Sequence, residues 1–246
     1  PWASIADANK GAAVAQWFSD EATATVIYGQ ISAWDVVQVT NMHSLFFDKR
    51  SFNDDLNAWD VASVTTMRIM FGRAKLFNSD VSAWDVASVS TLQDMFFENS
   101  VFNTELSAWE VASVTTMEGM FQSASKFNSE IAAWDVMATS MSSMFKRASN
   151  FHANLSAWDV ASVTTMQRMF EGADNFNSEL RAWDVASVAT IQSMFNDADN
   201  FNSEIGAWDV ARVITIEDMF TAAFNFNSEI GAWDVASVTS TRHAFS

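Results

Sequence analysis

The fold of this chain is decided by the stretch from Leu56 to Met67, which reads L-N-A-W-D-V-A-S-V-T-T-M. Lightly edited copies of this stretch occur nine times, and their tryptophans are 25 residues apart, except for one interval of 24. The nine tryptophans are Trp34, Trp59, Trp84, Trp109, Trp134, Trp158, Trp183, Trp208 and Trp233. A sustained period of this length indicates stacked repeats that share one continuous core.

We number each repeat from its tryptophan as position zero. Positions −3, 0 and +2 are apolar, which predicts a short strand with the tryptophan on its inner face and the residue at +1 pointing outward. Positions +8, +11, +12 and +15 are mostly Met, Met, Phe and Ala, and this i, i+3, i+4, i+7 set predicts one face of a short helix. The threonine at +6, such as Thr65, is predicted to cap that helix. A Phe-Asn pair, such as Phe77-Asn78, then leads to the next strand.

The recurring core W-D-V-x-x-V-T-x-M-x-x-M-F-x-x-A-x-x-F-N resembles the repeats of BspA-like surface proteins, a branch of the leucine-rich-repeat class, over residues 27–246. The resemblance implies a cell-surface or extracellular setting and binding or structural work, with no enzymatic activity. We therefore predict an α/β fold, a right-handed leucine-rich-repeat-like solenoid of nine coils of about 25 residues. A parallel sheet is expected on one face of this solenoid and a row of short helices on the other.

The N-terminal residues 1–26 do not fit the repeat. We predict that they cap the nine-repeat solenoid of residues 27–246 and form one structural domain with it. Lys10 to Phe18 reads as a helix that carries Val14, Trp17 and Phe18 on one side, and such a helix can cover the exposed core of the first coil.

Two irregularities interrupt the pattern. The repeat that begins at Trp134 lacks one residue and the inward Val at +5. We expect Met137 to fill this gap, and we expect a local distortion of the backbone there. The asparagine after Phe recurs in seven of the eight positions between repeats, and His152 is the exception. A stacked column of amides can bind turn backbone along the array, so this column is predicted to be structural.

The composition restricts the possible partners. The chain has 30 Asp and Glu against 13 Lys and Arg, a formal net charge of −17, which argues against nucleic acid or an anionic membrane and is compatible with cations or basic proteins. It has no Cys, and therefore no disulfide or thiolate metal site. No apolar run approaches the length of a membrane span. The chain starts at Pro1 without a signal-peptide pattern, so the surface or extracellular localisation rests on the resemblance alone.

An acidic residue stands at position +1 of every repeat, and stacking would place these carboxylates in one exposed column. Each carboxylate could accept hydrogen bonds from nearby backbone amides, or the column could bind cations such as Ca²⁺ weakly. The candidate cation ligands are Asp85, Glu110, Asp135, Asp159 and Asp184. A second acidic column at position −4 is predicted to be a solvated edge.

Catalysis has little support in the sequence, because the three histidines lie at unrelated positions and no Gly-rich phosphate loop is present. We predict a non-catalytic module, without a cofactor, for protein–protein interaction, adhesion or assembly at a cell surface or in an extracellular or multi-subunit structure. The alternative is an acidic cation-binding or matrix-associated protein that uses the carboxylate column to bind Ca²⁺ or a polysaccharide. A uniform ligand would use the smooth sheet face, and a specific protein partner would use the variable helix side.

Overall fold

The computed structural model describes residues 2–246. Its helices lie near the N-terminus: α1 spans Lys10–Ser19, α2 spans Glu21–Tyr28, and a 3-10 turn spans Ile31–Ala33. Within the described residues, pairing between strands is limited to isolated parallel bridges. The rest of the chain is a row of stacked coils, each containing one copy of the repeat, and we call them coils 1 to 9 in the order of their tryptophans.

Neighbouring coils are joined by one parallel bridge and a ladder of backbone hydrogen bonds. The bridge pairs the residues at +7, as in Thr66 with Thr91. Beyond the bridge, the amides at +10, +12 and +14 donate to carbonyls of the following coil at each of the eight joints. In coil 2, for example, the amide of Ile69 donates to the carbonyl of Gln93 at 2.8 Å. The ladder follows the segment that was predicted to be helical.

That segment is a run of turns. The amides at +11, +13 and +15 donate to the carbonyl three residues earlier in the same coil, as in Met70 to Met67 at 3.1 Å, whereas an α-helix bonds to the fourth residue back. The residues at +10 and +14 have left-handed backbone angles, with φ of 51° at Ile69 and 60° at Arg73. Left-handed residues at these two positions prevent a right-handed helix from forming.

The predicted α/β class is therefore wrong. Among residues 2–246 the structure has neither a parallel sheet nor a convex row of helices, so the leucine-rich-repeat-like solenoid with those two layers does not describe it. The apolar pattern at +8 to +15 determines which residues face inward, and a run of turns buries the same set as a helix would. The predicted strand also closes into turns, because the amide of Trp59 donates to Leu56 at 3.0 Å and that of Val64 to Val61 at 2.9 Å.

The inward positions were predicted correctly. In coil 2, Trp59 is 3% exposed, and the residues at −3, +2, +5, +8, +11, +12 and +15 are buried. From coil 2 onward, each indole donates from Nε1 to the carbonyl at −3 of the preceding coil, as in Trp84 to Leu56 at 3.1 Å. The phenylalanine rings form columns, with Phe71 stacked on Phe77 in its own coil at 3.8 Å and on Phe96 of the next coil at 5.8 Å. The tryptophan column is therefore part of the core, and its buried rings are not available to stack on the rings of a carbohydrate ligand.

The predicted N-terminal helix over Lys10–Phe18 is confirmed by α1, whereas α2 was not anticipated. Trp17 of α1 is buried, meets the ring of Trp34 edge-on at 6.0 Å, and donates from Nε1 to the carboxylate of Asp54 at 2.9 Å. These contacts place α1 over the core of coil 1.

The carboxylate of Asp7 makes a second link to coil 1. It accepts hydrogen bonds from the Thr40 hydroxyl and from the backbone amides of Thr40 and Asn41, the latter at 3.2 Å. In later coils the amide at +6 donates to a carbonyl of the preceding coil, as in Thr65 to Thr40 at 2.8 Å. Asp7 thus supplies the acceptor that a preceding coil would provide. The hydrogen bond from the Thr40 hydroxyl is the main reason that the pKa of Asp7 is lowered to about 2.

The threonine at +6 does not cap a helix as predicted, because no helix follows it; it and the residue at +7 stabilise the stacking in another way. The hydroxyl at +6 donates to a carbonyl of the preceding coil, as in Thr65 to Thr40 at 3.1 Å. The hydroxyl at +7 accepts from the amide at +9, as in Thr66 from Arg68 at 3.4 Å. Both side chains therefore stabilise the bridge and the start of the turn run.

The short repeat was predicted partly wrongly. Ala138 is fully buried and occupies the inward slot of the missing Val, whereas Met137, predicted to fill that gap, is 50% exposed. The bridges continue through this coil from Thr116 to Ser140 and on to Thr165. The deletion removes the turn between +2 and +5, which lies outside the ladder, and the stacking of coils is preserved.

The asparagine column is structural, as predicted. The side-chain oxygen of every asparagine in the column except the last, Asn227, accepts from the backbone amide at the same position one coil later, as in Asn78 from Asn103 at 2.8 Å. His152 continues this ladder on one side only: its amide donates to Asn128 at 2.8 Å, while its ring Nδ1 lies 2.7 Å from the carbonyl of Asn150.

Candidate functional site

The carboxylates at +1 are exposed in all nine coils. In seven coils, one oxygen of the carboxylate accepts a hydrogen bond from the backbone amide two residues later. The distances are 3.0 Å from Ala87 to Asp85, 3.0 Å from Ala161 to Asp159 and 3.0 Å from Ala186 to Asp184. This is the local hydrogen bonding that the sequence allowed as one of two alternatives, and it fixes the direction in which the column points.

The five candidate cation ligands lie in this column, but they do not converge. Asp85, Asp159 and Asp184 make the local amide bond, whereas Glu110 has a longer side chain and Asp135 lies in the shortened coil. Among residues 2–246, no group of three or more His, Asp or Glu side chains is placed to hold a metal ion. A cation on this column would therefore contact carboxylates of at most two neighbouring coils and keep water in its other coordination positions.

The column at −4 runs beside the first one and is also exposed. Three of its carboxylates, those of Asp55, Asp80 and Glu105, accept from local amides in the same way, as in Asp80 from Ser82 at 2.9 Å. The side-chain and backbone hydrogen bonds of Ser82 lower the pKa of Asp80. We call the two columns together the acidic face. It consists of Asp35, Asp60, Asp85, Glu110, Asp135, Asp159, Asp184, Asp209 and Asp234 at +1, and Asp55, Asp80, Glu105, Glu130, Glu179, Glu204 and Glu229 at −4.

The net charge of the chain is concentrated on the acidic face. Between positions −6 and +7, where both columns lie, the basic residues are Arg181 and Arg212. We call the residues from +8 to +17 of each coil the turn face, and there the charges balance. Its basic residues are Lys49, Arg50, Arg68, Arg73, Lys75, Lys126, Lys146, Arg147, Arg168 and Arg242, and its acidic residues are Asp48, Asp94, Glu98, Glu118, Glu171, Asp174, Asp197, Asp199, Glu217 and Asp218. The array therefore has one uniformly negative side and one neutral, mixed side.

The turn face differs from coil to coil and contains the acids whose pKa is raised. Burial raises the pKa of Asp94, and the negative charge of Glu118 on the next coil adds to the effect. Burial and the neighbouring Asp199 raise the pKa of Asp174 in the same way. Sequence reasoning placed these residues on the variable surface but did not identify them as perturbed acids. The sequence did contain a signal for the raised pKa values, because Asp94 and Asp174 are each followed, about one repeat later, by another acid, Glu118 and Asp199 respectively.

The histidines are not brought together. His43 lies in coil 1, His152 in coil 5 and His243 in coil 9, where its Nδ1 is 3.4 Å from a carboxylate oxygen of Asp218. A shallow groove on the acidic side is lined in part by Arg181, which pairs with Glu204 at 3.2 Å. This arrangement offers charged and polar contacts along an open surface.

A family model described as "Mycoplasma protein of unknown function, DUF285" matches the chain in three overlapping stretches, residues 13–134, 77–177 and 139–246. The chain belongs to the DUF285 family. The overlapping matches within this DUF285 chain agree with the repeat seen in the sequence and show a repeat protein. A search of the curated proteins found no match. The part of the DUF285 chain that the structure describes has no helix long and apolar enough to cross a membrane.

Proposed function

We propose that this DUF285 chain is a non-catalytic repeat module that binds partner proteins, for adhesion or for the assembly of a larger structure, at a cell surface or outside the cell. The observation that carries the proposal is the acidic face, where nearly the whole net charge is presented along the array. The resemblance to BspA-like surface repeats supports the setting.

The acidic face favours a basic partner. Its carboxylates repeat from coil to coil, and ten of the sixteen accept a hydrogen bond from a local amide. Small side chains lie beside the +1 column, with Ala at −1 in all nine coils. A surface of this kind attracts a cationic partner over a long range and allows several registers of contact. The turn face has a different pattern of charged and apolar groups in each coil, so it is the surface on which a particular partner would be distinguished.

A binding experiment with poly-lysine as the probe tests the role of the acidic face. The variant carries Asp85→Asn, Asp159→Asn and Asp184→Asn, because asparagine keeps the oxygen that accepts the local amide bond. The matched control removes three charges from the turn face with Glu118→Gln, Asp197→Asn and Asp199→Asn. At about 0.5 kcal/mol for each exposed charge, we expect the first variant to weaken binding on the order of tenfold at low salt.

The control should weaken poly-lysine binding clearly less, and added salt should weaken binding to every protein. Equal losses in the two variants would mean that the total charge matters and the face does not. Absence of binding by the unaltered chain at low salt would contradict the proposal.

A cation-binding protein is the alternative function. It is favoured by the geometry at +1, where the carboxylate accepts the local amide through Oδ1, as at Asp85, and is exposed to solvent. Calorimetric titration with Ca²⁺ at physiological salt distinguishes the two functions. Many weak sites that are reduced in the Asp85, Asp159 and Asp184 variant would support this alternative, and a titration without binding heat would remove it.

A further inference from the structure

The residues at position +16 of the turn face change charge in an ordered way along the array. They are basic in coils 1 and 2, serine in coils 3 to 5, and acidic in coils 6 and 7. Counted across the deletion in coil 5, they are Arg50, Lys75, Ser100, Ser125, Ser149, Asp174 and Asp199. All seven are exposed or partly exposed. Reversing the direction of this +16 column exchanges its basic end and its acidic end, with coil 4 at the centre.

The +16 column is held in register by hydrogen bonds between coils. The amide at +17 donates to the carbonyl at +16 of the preceding coil, as in Leu76 to Arg50 at 3.1 Å and Asn200 to Asp174 at 3.1 Å. In the middle of the array, the hydroxyl of Ser125 donates to the carbonyl of Ser100 at 3.3 Å. The side chains at +16 therefore follow one another at the regular spacing of the stacked coils.

The charged members of the +16 column have few opposite charges beside them in their own chain. Among residues 2–246, Lys75, Asp174 and Asp199 make no ion pair, and Arg50 pairs with Asp48, two residues away, at 2.9 Å. Burial and the neighbouring charge of Asp199 raise the pKa of Asp174. The acidic end of the column therefore carries a repulsion that the single chain does not neutralise.

A second copy of the chain in the opposite direction supplies the missing charges. If two turn faces meet with coil 4 opposite coil 4, coil 1 lies opposite coil 7, coil 2 opposite coil 6, and coil 3 opposite coil 5. Arg50 then faces Asp199, Lys75 faces Asp174, and serines face serines. A shift of one coil in either direction leaves a single oppositely charged pair in the column. The complementarity therefore selects one register, and a twofold axis forms each of its pairs twice.

The rest of the turn face agrees with this register. Coil 1 has a net charge of +1 opposite −2 on coil 7, coil 2 has +3 opposite −1 on coil 6, and coil 3 has −2 opposite +2 on coil 5. Coil 4 is neutral. Like charges meet at Asp48 and Asp197, and Glu118 and Lys126 of coil 4 each face their own copy. Because exposed ion pairs contribute little individually, we expect a weak dimer that added salt dissociates.

We propose that two copies of the chain associate antiparallel through their turn faces, with coil 4 on a twofold axis. The turn face has balanced charge, so it is the side on which two chains with a net charge of −17 each can approach. The acidic faces then lie on the outer sides of the dimer and remain free for a basic partner. The association does not depend on the function proposed above.

A charge-exchange experiment, followed by sedimentation velocity over a range of protein concentrations at physiological salt, tests the proposal. Lys75→Glu and Asp174→Lys each place like charges at both symmetric contacts, and each should weaken the dimer about tenfold or more. An equal mixture of the two variants should dimerise about as well as the parent, because every contact again joins opposite charges. The control Arg212→Glu makes the same change as Lys75→Glu outside the turn face and should leave dimerisation within about twofold.

Three results would overturn the proposal. The first is an unaltered chain that stays monomeric at every concentration tested. The second is a mixture of Lys75→Glu and Asp174→Lys that dimerises no better than each variant alone, because the two residues then do not face each other. The third is weakening by Lys75→Glu without weakening by Asp174→Lys, together with species larger than a dimer. That result would mean that the basic end binds the acidic face of another copy in an open chain.

Discussion

Replacing Ser123 by glycine should stabilise the protein, whereas the same replacement in the helix that the repeat pattern predicts would destabilise it. Ser123 stands at +14 of coil 4 with φ of 60°, its amide donates to Lys146 of the next coil, and its side chain makes no hydrogen bond within the described residues. A left-handed conformation costs an L-residue about 1 to 2 kcal/mol, and glycine avoids that cost. The opposing effect is that glycine has more conformational freedom in the unfolded chain, which lowers the free energy of unfolding by about 0.4 to 1 kcal/mol. The net stabilisation should therefore be about 0.5 kcal/mol.

Three such substitutions make the effect measurable. Ser44→Gly, Ser123→Gly and Ser143→Gly lie at left-handed positions of different coils, and together they should raise the free energy of unfolding by about 1.5 kcal/mol. The control is Ser149→Gly on the same face, where φ is not left-handed and glycine should destabilise by about 0.5 kcal/mol. Urea unfolding followed by tryptophan fluorescence measures both. If the triple variant unfolds at lower urea than the parent, as Ser149→Gly should, the turn run is refuted and a helix is favoured.

Three further changes test other parts of the structure. Trp109→Ala should reduce the free energy of unfolding by about 3 to 5 kcal/mol because it empties a core slot, and a calorimetric midpoint within a degree or two of the parent would mean that the tryptophan is outside the core. Asn103→Ala removes the acceptor of the Asn128 amide and should cost about 1 kcal/mol by urea unfolding, and no change would show that the asparagine ladder is not stabilising. Asp7→Ala should loosen α1 by about 1 kcal/mol, a value reduced for solvent screening. Because the pKa of Asp7 is lowered from 3.8 to about 2, its contribution is complete above about pH 4 and is lost as the pH falls toward 2. Exchange of α1 amides at pH 5 and at pH 2 should therefore separate Asp7→Ala from the parent only at the higher pH.

The sequence predicted the number of coils, the core columns and the role of the asparagine ladder, because these depend on which side chains recur inward. It did not predict the backbone path. The left-handed positions are filled by residues as different as Ile69, Arg73 and Asp94, so composition did not mark them as turns. The preference of these residues for a helix is outweighed by the ladder, which satisfies one amide in two through the next coil.

The acidic face was likewise predicted in part from the sequence. Its position was predicted from the alternation around Trp59, which holds even though no strand forms, and the local amide bonds were one of the two alternatives considered. The concentration of net charge on that face, with balanced charge on the turn face, became visible once the coils were stacked. The raised pKa values of Asp94 and Asp174 depend on contacts between coils, which the sequence of a single repeat does not contain.

The most direct test of the coil architecture is a scalar coupling across hydrogen bonds, measured by nuclear magnetic resonance on the isotope-labelled chain. The structure predicts that the backbone nitrogen of Ile69 couples to the carbonyl carbon of Gln93 in the next coil, with the same connection repeated at Asp94 and Glu118. A coupling from Ile69 to Thr65, four residues earlier in its own coil, would instead show a helix in each repeat and would contradict the account of the turn run.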